Sequence, residues 1–571
     1  MKTKGLYIVY LLTAVLWAQT TVAQRIAIIS DPHIQDVVGH PELVRTWESQ
    51  VVSTRLFNEN YFAFLAALDD VAKRDIKLVI LSGDLTDNGQ ELTCQAVTRI
   101  LHGYEQRYGM RFFMTTGNHD PNYPVTMHWG QKDFLGCDGQ PRVIYSDSCQ
   151  FFLPNKPQEI LTPDTVVPGL KCLGYHELVQ EWHDFGFLPH ADDVYWEHPD
   201  NPTSYPDASY LVEPEPGLWL MAIDGSVHTL KDIRGYEGAE VRGQENGANG
   251  NRNLAPRNPY LWNGSWPGYN NVMKYKPFLI DWVRSVVQRS QEQGKRLVVF
   301  CHYPLVDFNN GATDIIRETW GEKAFDLTRL PTSEAAEALY QAGVRLHIAG
   351  HMHVNQTGMY GEKESASSQS SSLVNVQVPS VAGYRPAYKI LTVENDSIYD
   401  FQTIPIDSVP GYDEFMPRYL SSLTSHLSPP ANYQQFCTQW FMELVRRRFI
   451  PKELPKVLQD LLPQMGGTYP DTLSLTGESA WTGYDLITDL YRLRYAGSLA
   501  LADIPKERLQ AYEEFFSRSG ERGAGSETIT DHTDSKDGNK ALSALAEIFH
   551  CLLNGLPDDH FRVNVRTGQL Q

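Results

Sequence analysis

The chain has no excess of positive charge: 49 Lys and Arg stand against 69 Asp and Glu, a net charge of -20. Such a surface repels polyanions at long range, so specific nucleic-acid binding through a broad basic face is not expected. Long apolar runs are also missing. After the first 24 residues no segment is apolar for long enough to cross a bilayer, so no membrane span is expected. No internal repeat is apparent. Cysteine is scarce, seven in 571 residues, and the odd number leaves at least one thiol unpaired in a monomer. Cys137, Cys149 and Cys172 crowd one loop-rich stretch where a bridge could form, though the sequence does not set its pairing. Cys94 and Cys301 read equally well as small buried hydrophobes.

What the chain does have begins at its start. Lys2 and Lys4 precede an apolar segment from Leu6 to about Trp17, and small and polar residues then lead to Ala23. The segment is too short to span a bilayer comfortably, so residues 1–23 read as a secretory signal peptide cut after Ala23. A secreted or periplasmic mature chain is expected. No Cys sits near the cut, and a lipid-anchored signal is therefore not supported.

At 571 residues the chain exceeds the usual size of one hydrophobic core, and two or more domains are expected. Strand and helix patterns alternate from the mature start: strand at Arg25–Ser30, helix near Arg55–Lys73, strand at Lys77–Ser82, helix near Gln90–Tyr108, strand at Arg111–Thr116. This is α/β wiring. Two stretches interrupt it, about 121–205 and 231–271, rich in turn formers and aromatics such as Trp262, Trp266 and Tyr269. They are candidates for the walls of a substrate pocket. After about Asp407 the pattern is mainly helical, with no metal or nucleophile motif. The expected division is thus a signal peptide at 1–23, a catalytic region at 24–406 and a helical accessory domain at 407–571.

Five apolar runs end in residues that can bind a metal. Ile26–Ser30 leads into Asp31-Pro32-His33, Leu78–Ser82 into Gly83-Asp84, and Phe112–Thr116 into Gly117-Asn118-His119-Asp120. Leu297–Cys301 leads into His302, and Val344–Ala349 into Gly350-His351-Met352-His353. In α/β sheets the loops at strand carboxyl ends gather on one rim, so these endings should meet. Two metal ions about 3.5–4 Å apart can grip a phosphoryl group and activate a water, given a bridging carboxylate, hard oxygen ligands and several imidazoles. Asp31, His33, Asp84, Asn118, His302, His351 and His353 supply that mixture, with Asp84 as the natural bridge. Singly, each has a plainer reading: Asp after a strand often caps a helix, and a lone His is often structural. Capping, however, requires neither the paired His of Gly350–His353 nor Asn118-His119.

These motifs resemble the calcineurin-like metallophosphoesterases over about residues 25–404, the insertions excepted. The family pattern of Asp-x-His, Gly-Asp-x-x-Asp, Gly-Asn-His-Asp, a lone His after a strand and Gly-His-x-His stands here in order. The resemblance implies a four-layer αββα sandwich of two mixed sheets flanked by helices, followed here by a mainly α C-terminal domain. It also implies two divalent or trivalent ions, Fe, Mn or Zn, with a hydroxide between them. One ion would be held by Asp31, His33, Asp84 and His353, the other by Asp84, Asn118, His302 and His351. His119 would contact the phosphate and protonate the leaving oxygen, and Asp120 would orient its ring. Asp87 stands where purple acid phosphatases carry a tyrosine ligand, which disfavours that subfamily.

The expected function is hydrolysis of small phosphate esters. No Lys or Arg adjoins any ligand in sequence, and a monoester's second negative charge needs cationic partners, so diesters are expected over monoesters. Arg385 is the nearest candidate phosphate contact but reads at least as well as a surface ion pair, and His347 reads as a core residue. The alternatives are a phosphomonoesterase or nucleotidase, and a non-catalytic scaffold that keeps the fold. A scaffold could lose a ligand without cost, and none is lost here.

Overall fold

The computed structural model describes residues 24–153, 156–230, 262–361, 371–421, 428–471, 477–521 and 536–571. The expected signal peptide and most of the second insertion lie outside the described residues.

Two seven-stranded sheets form the centre. In the first, Gln24–Ile29, Leu78–Leu81 and Arg111–Met114 run parallel, and Ala387–Val393, Ile398–Pro405, His560–Asn564 and Gln569–Leu570 extend it antiparallel on the other side of Gln24–Ile29. In the second, Leu218–Ile223, Arg296–Cys301, Leu346–Ala349 and Ser372–Gln377 run parallel. Antiparallel strands close its edges, Gln356–Gly361 on one side and Tyr210–Glu215 with Tyr195–Glu197 on the other.

Side-chain alternation explains the layering. On Leu218–Ile223, Leu218, Leu220 and Ala222 enter the core shared with the first sheet. Trp219, Met221 and Ile223 point the other way, into a core with Leu279, Val283 and Val286 of the helix Phe278–Glu292. Such strands are buried on both faces and read as continuous apolar runs. Helices Asn60–Lys73 and Glu91–Tyr108 bury Phe64, Leu68, Val71, Cys94 and Val97 in the core of the first sheet, which completes the four-layer αββα arrangement.

The 121–205 stretch is not irregular throughout. Gly130–Leu135, Pro141–Tyr145 and Thr165–Val166 form a small sheet, with Trp129, Phe134, Ile144 and Cys172 in a core of their own. Strands this short carry too little periodicity to read. None of the seven cysteines forms a disulfide: Cys172 is buried in that core, whereas Cys137 and Cys149 are exposed. Beyond residue 407 the chain is mainly helical, but its last strands are not an appendage. His560–Asn564 pairs with Ile398–Pro405, and the buried Lys389 ammonium donates to Asn355, Thr403 and the Asp558 carbonyl, each at 2.7 Å. The C-terminal region is thereby tied into the first sheet.

Candidate metal centre

Each candidate ligand follows a parallel strand. Asp31 and His33 leave Gln24–Ile29, Asp84 leaves Leu78–Leu81, and Asn118 and His119 leave Arg111–Met114, all in the first sheet. His302 leaves Arg296–Cys301 and His351 and His353 leave Leu346–Ala349 in the second. The site therefore joins the two sheets at their carboxyl rim.

The local backbone is held in an unfavourable conformation to do this. Asp31, His33, Asp84, His351 and His353 have φ of 49°, 43°, 52°, 73° and 58°. Residues with a Cβ rarely adopt that region, and it persists only where the surroundings impose it, at roughly 1–3 kcal/mol each. Here the loops lock one another. The His351 amide donates to both Asp31 carboxylate oxygens at 3.0 and 3.2 Å, and the His119 amide donates to Asp84 Oδ1 at 2.7 Å. Ser380 Oγ donates to the Asp31 carbonyl at 2.6 Å. Two glycines are required by close approach: a Cβ on Gly83 would lie 2.7 Å from His302 Nδ1, and one on Gly117 would overlap the Asp84 carboxylate. Gly117→Ala is expected to displace Asp84 and lower the bound metal per chain while the fold survives, as elemental analysis beside a circular dichroism spectrum would show.

Donor atoms within 4.8 Å of one another form three groups among the described residues: Asp31 with His33 and His353, Asp84 with His302 and His351, and His33 with Asp87 and His119; the first two hold the expected ligands. That spread suits bonds of about 2.0–2.2 Å to a single ion. His33 Nε2 and His353 Nε2 are 3.0 Å apart, and His353 Nε2 is 3.5 Å from Asp31 Oδ1. Asn118 Oδ1 and His351 Nδ1 stand 3.3 and 3.2 Å from His302 Nε2. Asp84 Oδ2 lies between the clusters, 3.3 Å from His302 Nε2 and 3.7 Å from His33 Nε2. His302 Nδ1 lies 2.9 Å from the Ser82 carbonyl, to which it can donate, leaving Nε2 for a metal.

Electrostatics favour a cation at this point. Burial drives His33 and His351 well below the ordinary imidazole pKa, so both rings stay neutral and keep a lone pair that a metal could take. Burial opposes charge on both Asp84 and His302. Even so, His302, His119 and His33 hold the Asp84 carboxyl well down, and Asp84 with Asp31 raises His302 to about 9. Metal ions supply the positive charge these donors demand, and the residues present fit a two-metal centre.

Asn118 and His119 are half-buried where the other candidate residues are buried, and they line the cavity together with His33, Asp84, His351 and His353. Asp120 does not orient the His119 ring. Its carboxylate accepts from the Leu85 amide at 2.5 Å, the Thr86 amide at 3.0 Å and Thr86 Oγ1 at 2.9 Å, which fixes the loop after Asp84. The His119 partner is the Asp87 carbonyl, 2.5 Å from Nδ1. Asp87 itself is paired by Arg55 at 2.6 Å.

The cavity above the ligands differs from expectation. No described residue of 121–205 lines it; its rim holds Thr54, Arg55, Asp326, Arg329, Arg448 and Tyr495. Arg385 is elsewhere, bonded to Asp503 at 2.9 and 3.2 Å. His347 is a buried core residue as expected, between Asn375 and Tyr269 at 2.7 and 2.9 Å. Sequence reading missed Arg55, Arg329 and Arg448. Arg448 had one local signal: it precedes Pro451, whose missing N–H is accompanied by a widened turn, Val445–Phe449, with the Ile450 amide on the Val445 carbonyl. Widened turns of this kind often mark functional sites.

Residues 24–222 match the family model for calcineurin-like phosphoesterases, a span that includes Asp31, His33, Asp84, Asn118 and His119 and stops short of His302, His351 and His353. Over that span the chain is similar to calcineurin-like phosphoesterases, and with the five-loop centre this supports a metal-dependent phosphoric ester hydrolase. Among solved structures, a dimetal phosphatase from Danio rerio is 13% identical and aligns over 67% of this chain and 96% of its own, with a TM-score of 0.31. A purple acid phosphatase from yellow lupin (Lupinus luteus) seeds is 11% identical over 67% of this chain and 52% of its own, with a TM-score of 0.30. A 5'-nucleotidase precursor from Thermus thermophilus is 12% identical over 75% of this chain and 59% of its own, with a TM-score of 0.28. A comparison with curated proteins found no match.

Proposed function

We propose that this centre hydrolyses small phosphate esters with two ions, one on Asp31, His33, Asp84 and His353, the other on Asp84, Asn118, His302 and His351. The observation that carries the reading is Asp84 Oδ2 set between two clusters of imidazole and carboxylate donors. Such a pair, when bound, supplies a hydroxide at neutral pH and positive charge for the entering and leaving oxygens. Asn118 and His119 are half-buried and line the cavity, where the phosphate must enter. His119 is anchored at Nδ1 by the Asp87 carbonyl, which leaves Nε2 for the ester. Burial and then Arg55 push its pKa down to about 4, so the free ring is neutral at pH 7. To protonate a leaving oxygen it must gain a proton, which an anionic phosphate beside it favours. Mixed imidazole and carboxylate donors accept Fe, Zn or Mn, and availability helps to decide among them.

The direct test is hydrolysis of nitrophenyl phosphate and bis(nitrophenyl) phosphate after chelation and re-addition of each metal. Recovery with at least one metal is expected; no turnover with any metal would overturn the reading. The diester preference loses its premise, since three arginines line the opening. Residues 24–406 supply every proposed ligand, and 407–571 serve as the accessory region.

Export is part of the same proposal. The first strand starts at Gln24, directly after Ala23, so a cut there removes no element of the described fold. None of the described helices is long and apolar enough to cross a membrane. N-terminal sequencing should give Gln24 in exported material; an intact Met1 in the cytosol would contradict it.

A further inference from the structure

We propose that Arg329 and Arg448, with Arg55 beside them, form an anion subsite over the metal centre that selects a phosphate carrying two negative charges. The C-terminal region would then take part in substrate choice. The inference rests on the phosphoesterase reading above and names its substrate class: phosphate monoesters.

The first ground is position. The three arginines share one cavity with His33, Asp84 and His119 at its base. They come from three separate parts of the chain, a loop before the helix Asn60–Lys73, the turn Ala324–Arg329 and the widened turn at Val445–Phe449. In a chain of net charge -20 this gathering of cations runs against the overall balance.

The second ground is how each charge is used. Arg55 is committed to Asp87, with Nε and Nη2 at 2.8 and 2.6 Å from one carboxylate oxygen. Its role is to hold that loop and add positive potential. Among the described residues Arg329 has Asp326 alone as an ion-pair partner, at a loose 3.9 Å, and Asp326 is already bonded by Arg494 at 3.1 Å. Arg448 donates Nη1 to the Val52 carbonyl at 3.1 Å and has no carboxylate within ion-pair distance among the described residues. The plainer role, tying the C-terminal helices to the catalytic region, is filled by Arg494. That side chain is buried, lies 4.3 Å from the Phe325 ring centroid and reaches both Asp326 and Glu453. Arg329 and Arg448 are thus not needed for it.

The third ground is charge balance. A diester brings one negative charge and a monoester nearly two at neutral pH, and placing the second against a half-enclosed site needs a partner. A guanidinium offers a planar fork that fits phosphate oxygens. Arg329 and Arg448 supply two such forks.

The test compares wild type, Arg329→Ala, Arg448→Ala, the double variant and Arg448→Lys, each metal-loaded and checked for an unchanged melting temperature. Each single alanine variant should lower kcat/KM for nitrophenyl phosphate about tenfold, consistent with loss of a hydrogen bond to a charged group, and the double variant further. The loss for bis(nitrophenyl) phosphate should be several times smaller. Arg448→Lys should recover part of the loss, since charge remains and the fork does not. Equal losses for both esters, or none for the monoester, would overturn the subsite while leaving the phosphoesterase reading intact. If wild type turns over neither ester, that reading fails by itself. The subsite then stands on calorimetry of inorganic phosphate binding, which Arg448→Ala should weaken and which an unchanged affinity would refute.

Discussion

Asp84→Ala should strip the protein of both ions and abolish turnover, whereas Asn118→Ala should weaken one ion only. The reason is position: Asp84 Oδ2 faces His302 Nε2 on one side and His33 Nε2 on the other, at 3.3 and 3.7 Å. Asn118 Oδ1 approaches only the His302 side, at 3.3 Å. Loss of partners that merely support metal ligands already costs about 10–100-fold in affinity or activity, so loss of a bridging ligand should exceed that. Elemental analysis after gel filtration reads the outcome. Two ions retained by Asp84→Ala, or equal loss from both variants, would remove Asp84 from the bridging role.

His119→Ala should keep both ions and lose roughly 10²–10⁴-fold in rate, the range for a positioned acid. Its ring is anchored to the Asp87 carbonyl and is not among the proposed ligands, so metal content should not follow activity. The loss should shrink for a good leaving group, which needs little protonation. With a poor leaving group, wild-type kcat should fall as pH rises through the pKa of His119 in the substrate complex, because only the protonated ring can donate; the variant should lack that limb. Equal losses for good and poor leaving groups would reduce His119 to a phosphate contact.

The metal-binding loops were legible because two patterns coincide in them. Each ligand follows a β-rich apolar run, and parallel-sheet wiring sends all such ends to one rim. The glycines beside them were legible as motif letters but not as mechanism: the overlap of a Gly117 Cβ with Asp84 exists only after two loops meet. The cavity rim was illegible for a related reason. Arg329 and Arg448 sit beside no ligand in sequence: Arg329 reaches the opening from the turn Ala324–Arg329, and Arg448 from a C-terminal helical turn packed against the catalytic region. Asp120 was misread because its neighbour His119 suggested a pair, whereas its carboxylate turns back to the Leu85 and Thr86 amides. The strand His560–Asn564 escaped because it is short and its partner lies some 160 residues earlier.

The account stands most directly on a metal titration of the metal-free protein, with nitrophenyl phosphate hydrolysis followed as metal is added. Two ions sharing Asp84 predict a rate that climbs to a plateau at about two equivalents per chain and is lost again on chelation. A plateau at one equivalent, or hydrolysis that survives complete removal of metal, would contradict the two-metal centre.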